Sequence, residues 1–148
     1  MATKTELLNE LMRLERKNPT KIIENPDDAV PPFMKWANKK QEHFLVMTLD
    51  GAHQVIKTKA ITKGCVNRCI VHPREVFIEA IKNHAVSIIL AHNHPSGSLH
   101  PSTEDMNLYN RMKKASKIMG INLLDFMIVS KNGYLSFAEK GYLFEESE

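Results

Sequence analysis

Chemistry concentrates in one short run, His92-Asn93-His94-Pro95-Ser96-Gly97-Ser98-Leu99-His100-Pro101-Ser102-Thr103-Glu104-Asp105. It begins where the apolar run Val86-Ser87-Ile88-Ile89-Leu90-Ala91 stops, and it ends where an amphipathic helical pattern starts. Side chains alternate along a strand, so histidines at i and i+2 near a strand end point the same way. Asp105, in the first turn of the following helix, can add an oxygen to their two nitrogens. Three such ligands leave the fourth tetrahedral position of a zinc ion open, the pattern of a catalytic rather than a structural site. Iron and manganese also accept similar sets. Without Asp105, the histidines would read as two solvent-facing residues at a strand end. Ser102 and Asp105 also have a purely structural reading, a capping box in which each side chain satisfies a backbone donor of the first helical turn.

His-x-His-Pro-x-Gly followed closely by Pro-Ser-x-x-Asp resembles the motif of the JAMM (MPN+) metalloproteases. With Pro73-Arg74-Glu75-Val76 upstream and Leu123-Leu124-Asp125 downstream, the chain resembles their bacterial RadC-like branch over roughly residues 40 to 138. The resemblance implies one α/β domain of the three-layer JAMM/MPN-like (cytidine-deaminase-like) type, a mixed β-sheet flanked by helices. It also implies hydrolysis of an amide or isopeptide bond by a zinc-activated water. His92, His94 and Asp105 would then hold Zn2+, and the Ser102 hydroxyl would stabilise the oxyanion. JAMM proteins take their general base from a glutamate just before the first core strand, and Glu42 stands there. Glu75 competes for that role because it lies in the Pro-Arg-Glu-Val signature, but a carboxylate in a first helical turn is stabilised by the helix dipole in any case. The related signature Leu-Leu-Asp-His has Phe126 in place of its histidine here. Asp125 could still orient a ligand histidine through a hydrogen bond.

Several residues of the run have plainer alternatives. Pro95 and Gly97 shape the turn off the strand, with Gly97 expected at positive φ. Asn93 and Ser96 either line the site or only bond to that turn. His100 is expected at the surface, outside the ligand set.

The elements that must position this run follow from periodicity. Residues 3–17 carry Leu7, Leu8, Leu11, Met12 and Leu14 at helical spacing, an amphipathic helix to dock on the domain or on a second copy of the chain. Asn25-Pro26-Asp27-Asp28 and Pro31-Pro32 predict an exposed connector. The strand Glu42–Leu49 turns at Asp50-Gly51, a strong hairpin signal, into a partner over His53–Thr62. Gly64 to Ile70 reads as loop or short strand. Pro73 opens a helix with a stripe of Val76, Phe77, Ala80 and Ile81. Residues 86–91 form a central strand. A second helix runs from Ser102 to about 118, with Met106, Leu108, Tyr109, Met112, Ala115, Ile118 and Met119 available for packing, and Gly120 ends it. Leu123–Ser130 and Tyr134–Phe137 are strands joined at Asn132-Gly133. The domain division is therefore an N-terminal helix and connector over 1–38, the metal domain over 39–140 and an acidic tail over 141–148.

Composition bounds the partners. The chain has 148 residues, enough to bury one core without covalent staples. A net charge of +3 is too small to argue for nucleic-acid binding, and Lys113, Lys114 and Lys117 read as a solvated helix face. No run of apolar residues is long enough to span a bilayer and no leader pattern is present, so the expected location is cytoplasmic. Cys65 and Cys69 are expected as free thiols. A peptide or protein tail is the expected substrate, with a homodimer through the N-terminal helix as a further expectation. Two other classes stay open: a nucleic-acid-processing protein linked to DNA repair or mobile elements, and a non-catalytic interaction module. Longer RadC-like proteins carry a helix-hairpin-helix region ahead of the metal domain, and residues 1–38 contain no glycine for such a hairpin.

Overall fold

The computed structural model describes residues 2–17, 21–65 and 71–142. The elements are α1 (Lys4–Lys17), α2 (Pro26–Met34), β1 (Glu42–Leu49), β2 (Val55–Cys65), α3 (Pro73–Lys82), β3 (Ser87–Asn93), α4 (Thr103–Met119), β4 (Asn122–Ser130) and β5 (Gly133–Ser136). The strands form one five-stranded sheet in the order β2-β1-β3-β4-β5. Among the described strands only β3 and β4 pair in parallel, and α4 makes the crossover that a parallel pair requires. This is the mixed sheet with flanking helices that the pattern predicts.

Two apolar clusters fill the two faces of the sheet, and residue parity decides which. Phe44, Val46, Ile88, Leu90, Phe126 and Ile128 pack with Val76, Phe77 and Ala80 of α3 and Tyr109 and Met112 of α4. Leu45, Met47, Leu49, Ile89, Ala91, Met127 and Val129 pack with Ala29 and Phe33 of α2. Side chains alternate in direction along a strand, so each central strand feeds both cores and reads as a nearly unbroken apolar run. The three-layer arrangement follows: α2, sheet, then α3 with α4.

The region expected as a connector is instead the helix α2. Pro26 takes the first helical position, where its missing N–H is no loss. The Asp28 carboxylate accepts from the Glu24 and Asn25 N–H groups, at 2.9 and 3.2 Å. Pro31 and Pro32 do lie inside the helix and deprive it of two donors. Burial of Ala29 and Phe33, both fully inaccessible, outweighs that deficit.

Other expectations shift at their edges. The hairpin loop extends through Gln54, because the Asp50 side chain accepts from the Ala52 and Gln54 N–H groups at 2.9 Å each and His53 adopts a positive φ. Strand β2 continues through the stretch that began the expected loop, to Cys65. The Cys65 side chain and all of Cys69 lie outside the described residues, as do the side chains of Leu11, Met12 and Leu14 and the tail from 143. Ile81, Ile118 and Met119 are exposed rather than packed, because they point away from the sheet, and Leu7 and Leu8 of α1 are exposed as well. Among the described residues no helix is long and apolar enough to cross a membrane.

Truncating a fully buried aromatic leaves a cavity, so Phe33→Ala should destabilise the domain by about 3–5 kcal/mol, whereas Ile118→Ala should stay within about 0.5 kcal/mol of wild type. Urea unfolding of both variants checks this, and an effect of Phe33→Ala no larger than that of Ile118→Ala would show that α2 is not part of the core.

Candidate metal centre

Strand parity carries over from the core into the polar run. His92 follows Ile88 and Leu90 onto the face covered by α3 and α4, while Asn93 follows Ile89 and Ala91 onto the α2 face. His94 lies just past the strand, yet its N–H still donates to the Val129 carbonyl at 2.9 Å, so the ladder with β4 holds it in line with His92. The chain then turns: the Gly97 N–H donates to the His94 carbonyl at 3.0 Å, with Gly97 at φ +88°. The Gly97 carbonyl accepts from the Ser130 hydroxyl (3.0 Å) and the Asn132 amide (2.9 Å). A Cβ at Gly97 would come within 2.8 Å of the Lys131 and Asn132 side chains, which would have to shift, and the positive φ favours glycine whatever the space.

Helix α4 brings Asp105 back onto the end of β3. Ser102 caps it: the Ser102 Oγ accepts the Asp105 N–H at 3.0 Å, and Asp105 Oδ2 accepts the Ser102 N–H at 2.9 Å. The same carboxylate meets both histidines, Oδ1 at 2.9 Å from His92 Nδ1 and Oδ2 at 3.0 Å from His94 Nε2. One side chain thus both caps the helix and meets the two histidines. His92, His94 and Asp105 offer ligand atoms that all lie within 4.8 Å of one another, a group that could hold a metal ion.

The hydrogen-bond inventory fits a cation. His94 Nδ1 lies 3.0 Å from the Ser98 carbonyl, which can only accept, so Nδ1 carries the proton. A neutral His94 ring therefore turns a bare Nε2 toward Asp105 Oδ2, two lone pairs facing each other with only a proton or a metal able to join them. His92 Nε2 is buried and without a hydrogen-bond partner, with Glu42 Oε2 3.6 Å away. An orphaned buried nitrogen next to carboxylates is what a metal ligand looks like without its ion.

Charge follows the same geometry. Burial pushes the Asp105 carboxyl up, but the hydrogen bonds from His92, from His94 with its ring protonated, and from the Ser102 N–H pull harder and hold it well below the usual carboxylate range. Burial pulls the His94 imidazole down, and the Asp105 hydrogen bond and charge together with the Ser98 carbonyl outweigh it, leaving the ring above its ordinary value.

A cavity of about 640 Å³ opens over this group. Glu42, His92, His94, Ser102 and Asp105 all line it, with Phe44, Val71 and Leu108 as apolar wall and Arg111 as its basic residue. Glu75 is not part of the lining. Its carboxylate accepts the His72 N–H at 3.2 Å and caps α3. Ser96 lines the cavity and also accepts the Ser98 N–H at 3.3 Å, so it does both things the sequence left open. His100 lies exposed at the rim, outside the ligand group.

Two expectations are corrected. Asn93 neither lines the cavity nor bonds to the turn, because its odd position in β3 sends it through to the α2 face. Asp125 does not orient a histidine. It sits on β4 opposite Ile89, three residues short of His92, and accepts from the Ser136 hydroxyl at 2.5 Å and the Ala138 N–H at 3.0 Å. Burial raises its pKa, and those hydrogen bonds only partly offset the rise. Val71, Leu108 and Arg111 were not singled out by sequence as site residues. No spacing rule marks them, since they converge only when α3 and α4 pack on one face.

The match to the RadC-like JAB domain family spans residues 23–142, which takes in α2, the whole sheet and every residue of the site. The chain belongs to the RadC-like JAB domain family. Similar curated proteins of the RadC family carry the name UPF0758 protein. One from Clostridium tetani is 48% identical over 124 residues, covering 82% of this chain and 54% of that protein. One from Methanospirillum hungatei is 50% identical over 107 residues, covering 72% and 48%. One from a Geobacillus species is 45% identical over 123 residues, covering 82% and 54%. This RadC-like chain spans about half the length of the curated relatives it matches.

The metal-free protein should show the signature of the Asp105–His94 pair in its pH dependence. Asp105, held low in the folded state, contributes stability above its unfolded value of 3.8 that disappears as pH falls through the folded value. His94, held high, contributes stability that is complete below 6.5 and disappears as pH rises through its folded value. Metal-free wild type should therefore lose stability as pH rises above 6.5, and His94→Gln should lack that loss; thermal unfolding at a series of pH values in chelator checks it.

Proposed function

We propose that this domain is a zinc-dependent hydrolase of amide or isopeptide bonds, acting on a peptide or protein tail. The observation that carries the reading is the set of groups converging on one cavity: two imidazoles and a carboxylate with mutually close ligand atoms, and a second carboxylate 3.6 Å from the orphaned His92 Nε2. Two nitrogens and one oxygen suit zinc and leave a coordination position for water.

In this reading His92, His94 and Asp105 hold the ion, which when bound lowers the pKa of a water and polarises the substrate carbonyl. Glu42 takes the proton from the attacking water and passes it to the leaving amine nitrogen, so the C–N bond breaks with a neutral amine departing. Ser102 already accepts the Asp105 N–H through Oγ, and its hydroxyl proton is free to donate to the oxygen that becomes negative. Phe44, Val71 and Leu108 give the substrate an apolar wall and exclude water around the reacting bond. Glu75, already engaged as a helix cap, is the weaker choice of base.

The metal is tested first. Wild type purified without chelator or metal-affinity tag should carry about one zinc per chain, and the His92→Ala/His94→Ala double variant should carry none by elemental analysis. Wild type that takes up no zinc at neutral pH would end the hydrolase reading. Turnover is then sought with libraries of internally quenched peptides and isopeptides. Glu42→Gln should keep its zinc and lose hydrolysis by about 10²–10⁴-fold. Full hydrolysis by that variant would move the base to another residue.

A further inference from the structure

Asn93 stands between the two histidines in sequence and faces away from them in space. Its side chain is fully buried, and all its hydrogen-bonding groups are used. Oδ1 accepts the His43 N–H; Nδ2 donates to the Gln41 carbonyl at 2.9 Å and to the Trp36 carbonyl at 3.1 Å. Gln41 and His43 are the two neighbours of Glu42, so one carboxamide grips the backbone immediately before and after that residue.

The grip replaces something the sheet does not supply. The ladder between β1 and β3 begins at Phe44 opposite His92, which leaves Glu42 beyond its last pair. On the other side Glu42 faces Cys65, and the register with β2 slips between Glu42 and His43. Regular pairing therefore holds Glu42 weakly on both flanks. Only a planar group with one acceptor and two donors satisfies all three backbone partners. Aspartate lacks the donors, and an apolar residue would leave the buried His43 N–H without a partner and reduce the Trp36 and Gln41 carbonyls to their remaining donors, the Lys39 N–H and His43 Nδ1.

We propose that Asn93 is a positioning residue that holds the Glu42 carboxylate against the His92–His94–Asp105 group. This rests on the reading of Glu42 as the base. The same three residues of chain then set ligands and base together: β3 sends His92 and His94 to one face and sends Asn93 through the sheet to the segment that carries Glu42.

The test uses the full chain loaded with zinc. In crystals of Asn93→Ala and Asn93→Ser the three ligands should keep their positions and zinc content should stay at the wild-type level, while the Glu42 carboxylate leaves the neighbourhood of His92 Nε2. On a peptide found in the quenched-peptide screen, kcat should fall on the order of 10²-fold with KM unchanged, as a misplacement of about 1 Å at a reacting group produces. Asn93→Ala added to Glu42→Gln should lower kcat no further, because the two act through one step. A purely structural Asn93 would instead reduce zinc content, or lower kcat by the same factor in both backgrounds. Either result overturns the proposal, as does a Glu42 carboxylate that stays in place in the variant crystals. If Asn93→Ala does not fold, Asn93→Ser, which retains a small polar side chain, carries the same comparisons. The two readings fail separately. Full turnover by Glu42→Gln removes the base assignment and this role with it, whereas an inactive Glu42→Gln beside a fully active Asn93→Ala removes this role alone.

Discussion

Along β3 the even-numbered residues Ile88 and Leu90 enter the core shared with α3 and α4, and the odd-numbered Ile89 and Ala91 enter the core shared with α2. The apolar run ends at Ala91, but the alternation does not. His92 and His94 inherit the first face and Asn93 the second. Shifting this strand by one residue would exchange the two sets and dismantle the site along with both cores. Packing of the domain and placement of the histidines are thus one constraint. The parallel pairing of β3 with β4 completes it, because the chain must cross over through α4, whose first turn then meets the end of β3. Polar groups at the carboxyl end of a strand and the N-terminus of the next helix are where open α/β sheets place their binding sites.

Asp105 shows how little of this arrangement is separable into structural and functional parts. Its two oxygens meet two histidines and the Ser102 N–H, while its own N–H is bonded to Ser102 Oγ. The carboxylate is fixed by the helix it caps before any ligand arrives. A group held in this way needs little reorganisation on binding a cation, which is what a preorganised site requires. The antiparallel strand β1 starts where β3 ends, so Glu42 arrives at the same end of the sheet from the opposite direction.

The segment matched by the family contains the sheet, α2 and the whole site, so the cavity lies within the matched domain. The curated relatives are about twice as long as the stretch they share with this chain. α1 precedes the matched segment and presents Leu7 and Leu8 to solvent.

Local chemistry alone determined a good deal. The short, nearly unbroken apolar runs set the central strands, Gly120 set the end of α4, and Gly97 announced a positive φ that the turn indeed adopts. The spacing of His92, His94 and Asp105 pointed to one cluster because each step in it is local: a strand period, a tight turn and a helix cap. Tertiary structure decided the rest. Helix α2 was hidden by Pro31 and Pro32, whose local penalty is overcome only by burying Ala29 and Phe33 against a sheet formed later in the chain. Sequence favoured Glu42 over Glu75 only through its place before the first core strand; that one lines the cavity and the other caps a helix is a matter of packing. Asn93 was legible only as lining the site or bonding to the turn, because its partners Trp36, Gln41 and His43 are about fifty residues away in sequence. Spacing rules see periodicity along one element; they carry no information about which distant backbone a side chain crosses the sheet to meet.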